Sequence, residues 1–381
     1  MTGENPFRYG ALALDEAFAD REDEVRELSA DIRNGQDVVV YGPRRYGKSS
    51  LVWRVSRDLI AGGVLVAHVD LMTTPTKRLL AEKLARTIHD DIASRLERAR
   101  DVALRAFRGL RIQPRITIDP DDANVSFSFD TARTPADVDA TLERLLELPG
   151  ELGAERKRRV ALVLDEFQEI TEIDARLPKL LRAVFQTQPE VAHVYLGSKR
   201  HLMQRIFNDV NEPFWRSAKQ MELGLIPVPR FRLFLRGRFA ATGKRVDDAA
   251  LERMLELTAG HPYATQELAY FVWEQSAVRK RVVVHDVELA LEHLRRSEHA
   301  HFGLVWEESS RDQRLLLLAL AQGPGRPYAA EFRAQHVLPP ATNVQKALAA
   351  LTRRELVAKQ PDGTQAIVEP FLAGWIRQTQ A

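Results

Sequence analysis

The chain has 381 residues, with 55 lysines and arginines against 53 aspartates and glutamates, and no cysteine. A net charge of only +2 excludes a chain-wide nucleic-acid footprint, so any contact with DNA needs a local basic patch. The lack of cysteine excludes disulfides, thiolate catalysis and cysteine-held zinc, and fits a cytoplasmic protein.

A hydrophobic fraction of 45% is ordinary for a globular chain, and at about 100–200 residues per domain the length predicts two or three domains. No apolar run reaches the ~18 residues of a membrane span, and Met1 to Tyr9 lacks a signal-peptide layout. The expectation is a protein with no membrane contact.

In chain order, a lead-in over 1–36 ends in a helical stretch from about Asp20 to Arg33. Asp37 to Tyr41 is a short β-branched strand, followed by a glycine-containing turn and a helix from about Ser49 to Ile60. Val64 to Asp70 is the second strand, and 76–108 reads as helical. Arg111 to Ile118 and Asn124 to Asp130, around the turn Asp119 to Asp122, predict a hairpin insertion over about 111–130. Val160 to Leu164, Val191 to Gly197 and Gln220 to Ile226 are further strands. Strands alternating with helices predict an α/β fold with a parallel sheet.

Beyond Pro227 the strands stop. Helical periods over 229–242, 247–259, 262–277 and 285–297 predict a helical lid. Helices at Gln313 to Gln322, Ala329 to Gln335 and Ala341 to Arg354 then precede two short strands, Leu356 to Lys359 and Gln365 to Val368, around Pro361-Asp362-Gly363. Three helices and a two-stranded wing are the layout of a winged helix-turn-helix. The expected domains are 1–226, 227–304 and 305–381.

Gly42-Pro43-Arg44-Arg45-Tyr46-Gly47-Lys48-Ser49 matches the Walker A pattern in full, and it follows a strand and opens a helix. The loop must wrap a polyphosphate with converging backbone N–H groups, and Gly42 and Gly47 permit the close approach. Lys48 brings a cation to the β- and γ-phosphates, Ser49 offers its hydroxyl to Mg²⁺, and the helix N-terminus, with Ser50 in its first turn, adds its positive dipole end. This predicts ATP with Mg²⁺ as ligands.

Val160 to Leu164 leading into Asp165-Glu166 reads as Walker B. The strand delivers Asp165 to the metal and Glu166 to an attacking water. Ser198, at the end of the fourth core strand, either reports on the γ-phosphate or aligns the attacking water, or is an ordinary helix N-cap. Lys199 and Arg200 beside it are weaker candidates. Arg216 before the fifth strand is either a transition-state arginine acting in a neighbouring copy, which would need a homo-oligomer, or a surface residue. His261-Pro262, after Gly260, opens a lid helix whose N-terminus can face a nucleotide. His299-Ala300-His301 comes closest to a metal pair but lacks carboxylate support. The basic clusters Arg95 to Arg115, Arg156 to Arg159 and Arg279 to Arg281 are solvated faces or local patches.

In this order the motifs resemble the archaeal-type AAA+ ATPases, which have affinities to the STAND signalling ATPases. Asn5-Pro6-Phe7 and Phe18-Ala19-Asp20-Arg21-Glu22 resemble the family's lead-in. The second element reads apolar–Gly–Arg–Glu in many members and helps to hold adenine, and Asp20 stands here in place of the glycine. Pro213-Phe214 and Glu369-Pro370-Phe371 also resemble family features, whereas Trp215 replaces the family's usual glycine before the arginine. The resemblance implies an additional-strand P-loop core, a helical lid and a winged helix, with adenine as the base and Arg21 near it. Three readings follow: an ATP-hydrolysing switch or machine; an ATPase that binds duplex DNA through Asn343, Gln345, Lys346, Arg353 and Arg354 of the winged helix; and a slowly hydrolysing STAND-like adaptor that holds a protein partner.

Overall fold

The computed structural model describes residues 4–92, 110, 115–118, 125–128, 134–276, 280–360 and 362–380. Parts of the predicted 76–108 helix, the turn Asp119 to Asp122, most of the Arg95 to Arg115 cluster and Arg279 lie outside the described residues.

Packing divides the chain into two compact units: Glu22–Gly42 with Lys48–Leu223, and Met1–Arg21 with Pro43–Gly47 and Gly224–Ala381. The strands of the first unit are β1 (Val38–Tyr41), β2 (Leu65–Asp70), β3 (Arg115–Ile118), β4 (Val125–Ser128), β5 (Val160–Asp165), β6 (Val191–Gly197) and β7 (Lys219–Glu222). In the first unit β2, β5, β6, β1 and β7 form one parallel sheet in that order. β1 and β6 are buried at every position, as expected for strands covered on both faces, and this is why they read as unbroken apolar runs. β6 lies between β1 and β5, so the end of the strand carrying Ser198 is inserted between the two Walker strands. The predicted hairpin is present, with β3 and β4 paired antiparallel in a small separate sheet.

Phe167, Tyr195, Phe207 and Phe214 pack ring against ring below the carboxyl edge, with neighbouring centroids 4.5–5.7 Å apart. All four are fully buried. Such clusters stabilise beyond their area burial, and this one anchors the segment after β5 against β6.

The second unit contains the helices Val228–Ala241, Asp248–Thr258, Pro262–Gln275 and Val284–Glu307. The last outruns its predicted span of 285–297, and residue 304 lies inside it. Asn5 and Phe7 belong to this unit. The Asn5 amide donates to the Tyr270 carbonyl at 3.1 Å, and the Phe7 ring packs tilted against Phe239 with centroids 4.8 Å apart.

The helices Arg311–Ala321, Ala330–Gln335 and Ala341–Arg353 follow, then the antiparallel strands Val357–Lys359 and Gln365–Ile367, and a closing helix Pro370–Thr379. The expected winged-helix layout is therefore present, with the closing helix in addition. His299 accepts a hydrogen bond from the Trp375 indole at 3.0 Å, which gives that histidine a structural partner.

β7 ends at Glu222, four residues short of its predicted end. Leu223 still donates to the Tyr41 carbonyl, but Ile226 donates to Gly260, away from β1. Pro227 and Pro229, at the cap and the first turn of the next helix, cannot supply ladder donors.

Candidate nucleotide site

In the sheet unit the carboxyl ends of β1, β5 and β6 bring four predicted side chains together. A Cβ on Gly42 would lie 2.7 Å from the Leu223 carbonyl oxygen, so only glycine fits this strand exit. Lys48, Ser49 and Ser50 form the first turn of the Lys48–Ala61 helix. Lys48 is buried and donates to the Gly42 carbonyl at 2.8 Å. The ammonium thus spans the two ends of the phosphate loop.

The Ser49 hydroxyl donates to Asp165 Oδ2 at 3.2 Å. A hydroxyl and a carboxylate are hard oxygen donors, and the pair suits a small divalent cation that keeps several waters. Burial, with Glu166 and Asp70 nearby, pushes the Asp165 carboxyl above its ordinary range, although the Glu166 N–H and the Ser49 hydroxyl pull it back. A cation there would remove that penalty.

Glu166 sits at φ +52°, a left-handed conformation that is costly for a residue with a Cβ and that gathers at functional sites. Its Oε2 accepts from the Ser198 hydroxyl at 3.0 Å and from the Gln168 amide. Ser198 and Gln168 are both buried. Gln168 was not anticipated from the sequence; the sign was a polar side chain two residues beyond the predicted base. Lys199 and Arg200 are occupied by Glu169 at 2.8 Å and Glu222 at 3.0 Å.

Arg216 is not part of this group. It is exposed, at φ +51°, three residues before Lys219. Lys219 pairs with Val38, the first residue of β1, so Arg216 lies at the amino edge of the sheet, a strand length or roughly 13 Å from the phosphate end at about 3.3 Å per residue.

In the second unit Gly47 adopts φ +85° and Arg45 φ +64°. Tyr46 is buried, its ring edge-on to His261 with centroids 5.0 Å apart, and burial raises its phenol pKa to about 12. The Arg21 guanidinium, buried, donates to the carbonyls of Tyr46 at 3.1 Å and Gly224 at 2.6 Å. It braces the backbone of the phosphate loop. Asp20 has φ +52°. The position at which the family carries glycine is thus left-handed here, and aspartate is among the residues that tolerate it.

His261 caps the Pro262–Gln275 helix, its Nδ1 accepting from the Ala264 N–H at 3.2 Å. Burial, helped by the Arg45 charge, lowers its pKa to about 3. The ring is therefore neutral near pH 7. With Nδ1 accepting, its proton resides on Nε2, a buried atom without a hydrogen-bond partner among the described residues.

Arg44 pairs with Glu355 at 3.0 Å, and Arg45 with Glu369 at 3.3 Å. Arg45 also lies over the Tyr263 ring, 4.1 Å from its centroid. Neither carboxylate was singled out as an arginine partner from the sequence. On the Ala341–Arg353 helix Thr342, Asn343, Gln345, Lys346 and Arg353 are exposed. Asn343 donates to Asp312 at 2.8 Å. Arg354 folds back onto Ser309 and Glu308.

Among the described residues no helix is long and apolar enough to cross a membrane, and no group of three or more histidine and acidic side chains could hold a metal. No curated protein matches the chain. Among solved structures, a Walker-type ATPase of Pyrococcus abyssi is similar at 18% identity and a TM-score of 0.69, over 98% of this chain and 99% of that one. The ORC2 protein of Aeropyrum pernix, in ADPNP and ADP complexes, is similar at 16% identity and 0.55, over 98% and 97%. The ORC1 protein of Aeropyrum pernix, in complex with DNA, is similar at 16% identity and 0.50, over 96% and 94%. Residues 300–378 match the model of a probable winged helix domain. Residues 18–268, about two thirds of the chain, match the model of an ATPase domain found predominantly in Archaea, and the chain belongs to that family.

Proposed function

We propose that the protein binds ATP with Mg²⁺ at the Walker A loop, hydrolyses it, and couples the cycle to its winged helix. The observation that carries this reading is the convergence of Ser49, Asp165, Glu166 and Ser198 at one sheet edge, with Ser49 Oγ 3.2 Å from Asp165 and Ser198 Oγ 3.0 Å from Glu166. Ser49 and Asp165 would hold the cation, which neutralises charge on the β- and γ-phosphates. Lys48 exchanges its Gly42 carbonyl for phosphate oxygens. Glu166 orients the attacking water and takes its proton, and Ser198 aligns the γ-phosphate. His261 donates a hydrogen bond from its Nε2–H to a nucleotide oxygen, and the Arg21 brace keeps the loop backbone in place. Arg216 can assist only in a neighbouring copy, which makes a homo-oligomer part of this reading.

The exposed Asn343, Gln345, Lys346 and Arg353 give the winged helix polar side chains for duplex DNA, and a structural relative is solved in complex with DNA. A second reading, a slowly hydrolysing switch that holds a protein partner, is favoured by one feature. Ser198 and Gln168 both hold Glu166 Oε2, which fixes the carboxylate in one orientation and leaves water activation to its other oxygen.

Steady-state turnover with and without duplex DNA, at low and moderate salt, separates the two readings. The coupled-ATPase reading predicts Mg²⁺-dependent turnover that rises with DNA, the rise fading as salt increases. Negligible turnover with nucleotide still bound would contradict it and select the switch.

A further inference from the structure

The variable positions of a phosphate loop are usually free to differ, because the backbone does the binding. Here two of them, Arg44 and Arg45, are held from the C-terminal part of the chain. Glu355 follows the Ala341–Arg353 helix by two residues and has φ +58°. That left-handed slot after a helix ordinarily favours glycine. A glutamate there tolerates strain, and the placement aims its mostly buried carboxylate at Arg44, at 3.0 Å. Glu369 immediately precedes the Pro370–Thr379 helix and meets Arg45, itself left-handed, at 3.3 Å. The guanidinium of Arg45 also stacks on Tyr263. Two successive loop arginines, two winged-helix carboxylates and two strained backbones therefore meet in one packed unit.

We infer that Glu355 and Glu369 are positioning residues for the phosphate loop: they clamp Arg44 and Arg45, so that the seating of the winged helix sets how firmly the loop retains a nucleotide. This deepens the ATP-binding reading and rests on it. Any ligand that draws the winged helix away would loosen Pro43–Gly47, and a loop that must be reordered for each binding event releases nucleotide faster. The arginines are partly exposed and the carboxylates mostly buried, so each pair is screened from one side only, and loss of one is expected to change release roughly three- to tenfold.

The direction of the effect identifies the cause. As independent charges beside a polyphosphate, Arg44→Gln would speed nucleotide release and Glu355→Gln would slow it, with the double variant returning near wild type. As a clamp, both substitutions speed release, and the double variant is no faster than either single one. The test is stopped-flow release of a fluorescent ATP analogue with Mg²⁺ from wild type, both singles and the double, together with amide hydrogen exchange over residues 44–47 in nucleotide-free protein. The inference expects same-sign, non-additive release rates and faster exchange of the loop in Glu355→Gln and Glu369→Gln. Opposite-sign effects, or rates and exchange equal to wild type, would overturn the clamp while leaving ATP binding intact. A wild type that retains no analogue would overturn the ATP-binding reading and the clamp's role in it together, whatever the exchange shows.

Discussion

Glu166→Gln is expected to lower ATP turnover roughly a hundred- to thousandfold, the typical contribution of a positioned general base, while leaving Mg-ATP affinity within about threefold of wild type. The reason lies in the geometry. The amide keeps the size of the carboxylate and can still accept from Ser198 and Gln168, which now hold Glu166 Oε2. It cannot take a proton from water. Lys48, Ser49 and Asp165 are untouched, so the groups assigned to phosphate and cation stay in place. Turnover and equilibrium binding measured on the same preparation check the split. Unchanged turnover would remove Glu166 from the chemistry; affinity lost in parallel with turnover would mean that it shapes the site rather than acting in it.

The second large effect is on stability and follows from Glu267. This carboxyl is buried on the Pro262–Gln275 helix. Burial raises its pKa to about 8, with Glu369 and Glu298 adding to the rise and Arg45 opposing it. Tyr263, on the same helix, and Tyr9, from the lead-in, feel the Glu267 charge as well. The unfolded chain releases this proton near the ordinary value of 4.5. Between about 4.5 and 8 the folded protein holds more protons than the unfolded one, so the contribution of this group to stability falls as pH rises through that window and is fully lost above about 8.

Glu267→Gln removes the titration. At pH 9 the variant should be more stable than wild type by ~2 kcal/mol or more, a rise of several degrees in Tm, and the gap should close toward pH 5. Thermal melts across pH 5–9 test this. Parallel curves for the two proteins would show that Glu267 keeps an ordinary carboxylate.

What could be read from the sequence divides along physical lines. The central strands are legible because two-sided burial writes itself as β-branched runs, and the Walker residues because their chemistry demands a fixed local spacing. The helix Pro135–Arg156 was not read: Pro149 and Gly150 in its interior look like turn punctuation, although the fold buries both. The helix Val284–Glu307 runs past the expected 285–297, and the added turns carry His299 and His301, the first of which meets Trp375. Arg216 was placed correctly in order along the chain, but only the parallel register shows that it lies at the amino edge.

The clamp residues stayed hidden for a different reason. Arg45 and Glu369 stand 324 positions apart, and nothing local to either announces the other. Gln168 stands two residues after Glu166, yet only the turn after β5 folds its amide back onto the Glu166 carboxylate. The left-handed backbones of Asp20, Arg45, Glu166 and Glu355 are likewise invisible in residue types that do not advertise them.

The central claim is that this loop binds Mg-ATP, and titration calorimetry of ATP against wild type and Lys48→Ala, each with and without Mg²⁺, tests it most directly. The account predicts saturable, Mg²⁺-strengthened binding by the wild type and at least a hundredfold weaker binding by the variant, as expected when a buried cation is withdrawn from a polyphosphate. Equal affinity in the two proteins, or no binding by the wild type, would contradict it.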